Sequence, residues 1–175
     1  PCFVDDRMAA FEEDLPATVA KAEKCDRLSV MIAPHAPYSC SEENMHRAAE
    51  LSEEYGLPIT IHLAETHDEE RQIRERFGCS PVELIDRYGL LKEGTIAAHC
   101  VHLSDSDRRT LLERGVSVAH NPQSNMKISS GIAPVATLLN EGVNATIATD
   151  GPCSNNDLDM WEEMRSASFL QKVSA

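Results

Sequence analysis

Five short apolar runs in this chain each end on a side chain able to bind a metal or move a proton. They are VMIAPH at His35, ITIH at His62, TIAAH at His99, VSVAH at His120 and ATIATD at Asp150. Apolar, β-branched runs of this length read as buried strands, expected over 28–34, 58–63, 94–99, 115–119 and 143–149, and each is followed by a charged segment of helical period. Alternation of this kind predicts a parallel sheet with right-handed crossovers. Strand ends in such a sheet open on one mouth, so the five terminal side chains converge on one candidate site.

Helix boundaries support the same rhythm. Ser41, Ser104 and Asn156 are placed to cap helices, and Gly56, Gly89, Gly115 and Gly142 sit where helices should stop. The connection from His67 to Lys92 divides into two helical pieces joined at Gly78, with Pro81 suited to the first turn of the second. The first 25 residues break the pattern: Pro16 interrupts an acidic segment, and LPATVAKAEK reads as the helix of a unit whose strand is absent. Five strands and an orphan helix do not close a (β/α)8 barrel, which typically needs about 250 residues. An open doubly wound sheet is the alternative, and composition does not choose between the two.

A chain of 175 residues with 42% hydrophobic content is expected to form one domain. With 29 acidic against 16 basic residues the net charge is −13, which repels phosphate backbones and anionic lipid, so neither nucleic acid polymers nor membranes are expected partners. Nothing in the sequence argues for a membrane span or signal peptide, and a cytoplasmic location is expected. The six cysteines, Cys2, Cys25, Cys40, Cys79, Cys100 and Cys153, form no CxxC pair and read as reduced thiols.

Each strand-end residue has a chemical and a plain structural reading. His62 begins an HxxE pattern with Glu65, which sets an imidazole ligand beside a proton-transferring carboxyl, or else a core histidine beside a solvated acid. Asp150, in TIATDGPCSNND, suits a divalent cation or an Asx turn. His99 suits proton relay from water; His102 reads as the start of a loop. His35 lies between two prolines that stiffen its loop, which suits a substrate contact or a structural turn. His120 lines the pocket or fixes its loop, and His46 and His67 fall in charged, solvent-facing segments.

The ordered runs APHAPYSCS, ITIHLAET, TIAAHCVHLS, AHNPQSNMKISSGIAPV and TIATDGPCSNNDLDMWEEMRSASFLQK resemble the amidohydrolase superfamily, nearest to 5-methylthioadenosine/S-adenosylhomocysteine deaminases and related chlorohydrolase-like enzymes. The resemblance implies a (β/α)8 TIM barrel holding one divalent metal, usually zinc, with iron as the alternative. It implies metal ligation by His62 and Asp150, proton donation to the purine ring by Glu65, water activation by His99, and substrate contacts from His35 and, by a looser match, Arg7. The implied reaction is hydrolytic deamination of an adenine-type nucleoside: water adds at C6, the ring nitrogen is protonated and ammonia leaves.

The resemblance also implies an HxH ligand pair on the first strand, and no HxH occurs in these 175 residues. The expectation is therefore that residues 1–175 form about five C-terminal βα units of the barrel, lacking strands one to three and the β-sandwich segments. Such a chain should bind metal poorly and be inactive alone, and its edges at 28–34 and 143–149 should be unpaired and prone to self-association into a homo-oligomer. Within the superfamily, hydrolysis of a chlorinated or guanine/cytosine-type heterocycle is the runner-up, and Glu65 favours deamination because a poor leaving group calls for a proton donor. A non-catalytic barrel remnant is a second class. A flavodoxin-like binding domain ranks low because PHAPYSCS contains no glycine to cradle phosphate.

Overall fold

The computed structural model describes residues 3–174, so Cys2 lies outside the described residues. Four parallel strands form one sheet in sequence order: β1 (Thr60–Leu63), β2 (Ile96–His99), β3 (Ser117–His120) and β4 (Asn144–Ile147). Register is continuous across it, with Leu63 opposite His99, Ala119 opposite Thr146 and His120 opposite Ile147. Around the sheet lie α1 (Met8–Ala22), α2 (Glu42–Glu54), α3 (His67–Phe77), α4 (Pro81–Arg87), α5 (Asp105–Glu113), α6 (Pro122–Lys127), α7 (Val135–Glu141) and α8 (Met160–Val173). The strand-helix alternation is as expected, though the strands start one or two residues later than expected and the last also ends two residues earlier.

The first expected strand, 28–34, forms only isolated parallel bridges, Ile32 to Ile59 and Phe3 to Pro34. The cause is local: Pro34 and Pro58 have no N–H to donate, so the ladder cannot run through them. The segment is nonetheless tied on both sides. Ile32 N–H donates to Pro58 O at 2.9 Å and His62 N–H to His35 O at 3.1 Å, while Phe3 N–H donates to Ala33 O at 2.9 Å and His35 N–H to Phe3 O at 2.8 Å. This edge is therefore covered by Phe3 rather than unpaired, and the stretch before α1 is a bridged stub rather than an absent strand. Among the described residues β4 pairs with β3 alone.

Pro16 does not interrupt the first helix, because α1 runs through it. Burial of Met8 and Leu15, with Phe11 and Val19 packed against the core, compensates for the missing backbone hydrogen bond. Ser41, Ser80 and Ser104 cap α2, α4 and α5 through their side chains, and α4 and α5 carry complete capping boxes. Asn156 does not cap α8. Leu158 takes a left-handed φ of 58°, which stops helical backbone there, and Asp159 caps instead by accepting from Trp161 and Glu162 N–H. The core between sheet and helices includes Ile32, Ile59, Leu63, Ile73, Ile85, Leu111 and Leu138, all almost fully buried. No helix among the described residues is long and apolar enough to cross a membrane.

Candidate metal and proton-transfer site

Parallel register brings the ends of β1 and β2 level, and the backbone then turns sharply at each functional position. Ala64, His99, Cys100 and Asp150 adopt φ values of 50°, 72°, 49° and 63°. Left-handed backbone at a residue other than glycine costs on the order of 1–3 kcal/mol and collects where surrounding packing enforces it for a purpose. Here four such residues flank one mouth. The turns redirect His99 and Asp150 away from plain strand alternation and toward His62.

Hydrogen bonds set the tautomers. His62 Nδ1 lies 2.7 Å from His35 O; a carbonyl only accepts, so Nδ1 carries the hydrogen and Nε2 keeps its lone pair. His99 Nδ1 likewise donates to Asn125 Oδ1 at 2.8 Å, leaving Nε2 bare. That nitrogen lies 3.7 Å from Glu65 Oε1 and 3.9 Å from Asp150 Oδ2. The rings of His62 and His99 stack at 5.4 Å between centroids.

The Asp150 carboxyl lies below the usual carboxylate range. Burial acts to raise it, but hydrogen bonds from Ser124 Oγ, Ser154 Oγ and Gly151 N–H, together with the nearness of His99, outweigh burial. Ser124 and Ser154 meet Oδ2 at 2.7 and 2.6 Å, and Gly151 N–H meets Oδ1 at 2.6 Å. One donor atom each from His62, His99 and Asp150 lies within 4.8 Å of the others. Two imidazole nitrogens with free lone pairs and an anionic carboxylate suit zinc, and three protein donors is the number a catalytic zinc site typically uses. The donor set thus fits a divalent ion at His62 and Asp150, with the bare Nε2 of His99 close beside these two expected ligands.

His35 joins the cluster, its ring 4.8 Å from that of His62 and its Nδ1 2.7 Å from Ser39 Oγ. Burial, then the neighbouring His62, lowers its pKa against the pull of Glu65. Glu65 is buried at the mouth. Arg7 is not brought into this cluster: it is exposed at the end of a 3-10 turn, Asp5–Arg7, and lines a separate cavity of about 810 Å³ with Phe3, Phe11, Val30 and Met31. His102 fixes a loop through Ser130 O at 2.8 Å, and its ring stacks on the exposed His67. His46 is exposed against Tyr88. Cys100 is fully buried and its thiol is pushed up first by burial and then by Glu69 and Asp107, which leaves it unreactive.

His120 is fully buried, with neither ring nitrogen hydrogen-bonded. Burial, then the proximity of His99, pushes its pKa from 6.5 down to about 4. Between those values the unfolded chain binds a proton that the fold excludes, so stability is full above 6.5 and falls as pH drops toward 4. At about 1.36 kcal/mol per pH unit the expected loss is about 3 kcal/mol. Denaturant unfolding across this range, with His120→Gln flattening the slope, checks it; an unchanged slope in the variant assigns the effect elsewhere.

Several residues that shape the site escaped the strand-end pattern. Asn125 orients His99, Ser124 and Ser154 hold Asp150, and Asn155 donates to Thr149 O at 2.8 Å while bonded to the buried Glu163, which also accepts from Gln123 N–H. Their signal was the polar composition of NPQSN and SNN directly after strand ends, which reads equally well as turn chemistry.

The sequence profile described as the amidohydrolase family matches residues 4–175. The chain is 53% identical over 147 residues to a 5-methylthioadenosine/S-adenosylhomocysteine deaminase of Desulforudis audaxviator, covering 84% of this chain and 34% of the relative. It is 48% identical over 166 residues to a 5'-deoxyadenosine deaminase of Methanopyrus kandleri, covering 93% of this chain and 38% of that protein. Among solved structures, an adenosine deaminase from Xanthomonas campestris with bound zinc superposes with a TM-score of 0.85 at 36% identity, over 93% of this chain and 38% of that one. The chain spans little more than a third of the length of these relatives.

Proposed function

The chain belongs to the amidohydrolase family, and from that premise we propose that it carries the metal-holding and proton-transferring side of a hydrolytic deaminase acting on an adenine-type nucleoside. The observation that carries this reading is the meeting of His62, His99 and Asp150 within 4.8 Å, with the Glu65 carboxyl 3.7 Å from His99 Nε2. In this reading the extended segment around His35 and β1 to β4 are five consecutive βα units, residues 1–175 forming the C-terminal part of a (β/α)8 barrel.

His62 and Asp150 hold one divalent ion, zinc being favoured by the nitrogen and carboxylate donors. Bound there, the ion supplies Lewis-acid activation of water at neutral pH. Glu65 delivers a proton to the adenine ring nitrogen as water adds at C6; the proton removed from the water then passes to the amino group, which departs as ammonia, and the hydroxyl proton of the adduct returns to Glu65 as C6 becomes a carbonyl. His99, with Nε2 facing both carboxyl groups, takes the proton on the water side and keeps its orientation through Asn125. His35, its Nδ1 held by Ser39, presents the rest of its ring to the nucleoside. A net charge of −13 suits a small-molecule partner in the cytoplasm better than a nucleic acid polymer or an anionic membrane. The open β4 edge makes a homo-oligomer an available assembly.

The test is a chimera in which this chain replaces the matching segment of the Methanopyrus kandleri protein. Ammonia release from methylthioadenosine, S-adenosylhomocysteine, deoxyadenosine and adenosine is measured together with zinc content. Zinc near one per chain and conversion of at least one nucleoside are expected. A folded, zinc-loaded chimera that leaves all four intact defeats the reading, and a folded, metal-free, inert one favours a non-catalytic remnant.

A further inference from the structure

Three helices begin on the pattern in which a hydroxyl residue is followed, three positions later, by an acid: Ser80 and Glu83, Ser104 and Asp107, Thr66 and Glu69. In the first two the acid returns to the backbone N–H of its own cap, at 2.9 Å in both, which completes the capping box. The third departs from this. Thr66 Oγ1 accepts from Glu69 N–H at 3.1 Å as expected, but the Glu69 carboxylate passes over its own cap. Its Oε1 accepts from Ala64 N–H at 3.0 Å and its Oε2 from Glu65 N–H at 2.8 Å.

Those two amides belong to the left-handed turn at Ala64 and to the residue that bears the proton-transferring carboxyl. Glu69 is only 1% exposed, as is the capping acid Asp107, so the target of its hydrogen bonds rather than its burial sets it apart. Burying a carboxylate away from any cation is costly, and the cost is met here by charge-assisted hydrogen bonds aimed at one loop. The titratable groups around it are Glu65 on the same loop, Tyr38 from the loop after His35 and Cys100 at the end of β2, none of them cationic. Burial, partly offset by the two amides, raises the Glu69 carboxyl to about 7.

We infer that Glu69 is a positioning residue: by holding the amides of Ala64 and Glu65 it fixes the turn that aims the Glu65 carboxyl at His99. The inference rests on the reading of Glu65 as the proton-transferring group. Glu69 does not touch the nucleoside; it acts through the backbone of its neighbours.

The first test uses this chain itself, isotopically labelled, with amide shifts followed by NMR between pH 5 and 9. In the wild type the Ala64 and Glu65 amides are expected to move together with a common midpoint near 7. In Glu69→Gln and Glu69→Ala that common midpoint disappears, and hydrogen exchange at these two amides quickens by about tenfold or more while β1 stays protected. A plain helix cap gives the opposite pattern, in which the first turn of α3 frays and Ala64 and Glu65 are unaffected, and this overturns the inference. Unchanged hydrogen exchange at the Ala64 and Glu65 amides in both variants overturns it as well, whatever the wild-type titration shows.

The second test is kinetic, in the chimera. Glu69→Gln is expected to lower kcat by about 10- to 100-fold with KM within about twofold, as loss of alignment rather than of binding does, and Glu69→Asp to recover part of the loss. A fall in kcat no larger than the fall in folded fraction overturns the positioning role. If the wild-type chimera itself deaminates nothing, the deaminase reading fails, and the amide measurements still decide whether Glu69 holds the loop.

Discussion

Glu65→Gln in the chimera is expected to lower kcat for deamination by about 100- to 10,000-fold, the range over which a positioned acid or base contributes to a rate. Glutamine has nearly the shape of glutamate, so the buried position is filled and neither zinc content nor melting temperature should change much. What is lost is the transferable proton. Adenine's amino group is a poor leaving group until the ring nitrogen is protonated, and in the proposed reading Glu65, buried and 3.7 Å from His99 Nε2, is the carboxyl that does it. KM should move little, because a proton delivered in the transition state adds nothing to ground-state binding. Retention of more than about a tenth of wild-type kcat would remove Glu65 from proton transfer, since general acid catalysis contributes at least about 100-fold.

Asp150→Asn carries the second large effect, on metal affinity. The substitution replaces an anionic donor by a neutral amide and leaves Ser124, Ser154 and Gly151 N–H facing a group that accepts less well. Loss of an outer hydrogen-bond partner typically weakens a metal by about 10- to 100-fold, so loss of the carboxylate itself is expected to exceed that, and Ser154→Ala to fall within it. Competition against a chelator of known affinity measures both. Because the Asp150 carboxyl lies below the usual range, it stays anionic, and a competent ligand, to lower pH than an ordinary aspartate. If Asp150→Asn binds zinc within about threefold of wild type, well short of even an outer-partner loss, Asp150 is not a ligand and its loop is structural.

The strand-end residues proved unequal in ways that trace to packing. The place of His62 near a strand end could be read from ITIHLAE because it needs only a period and a direction. His99 was legible as a strand-end histidine, but its place beside Glu65 and Asp150 depends on a φ of 72°, which no residue preference announces for histidine. His120 has the same sequence signature as the others, yet it is buried with both ring nitrogens unpartnered. Arg7 matched a substrate-binding position by sequence and lies on an exposed turn beside a different cavity. The expected strand at 28–34 failed to form a ladder because two prolines remove its donors, although its run of apolar residues was read correctly as extended.

By itself, the sequence determined the alternation of strands and helices, most of the caps and the set of side chains that lie near strand ends, because these depend on periodicity, on φ preferences and on contacts within a few residues. Only the tertiary structure decided which of those side chains meet. His62, Glu65, His99 and Asp150 are separated by as many as 88 positions, and they come together through sheet register and three turns that contain four left-handed residues. Those turns are held by Asn125 and Ser124, whose hydrogen bonds reach across elements, by Ser154 from within the loop of Asp150, and by Glu69 reaching past its own cap. No local pattern encodes such bonds, since a Ser, Asn or Glu at a turn satisfies its nearest backbone equally well until packing removes the water that would otherwise do the same.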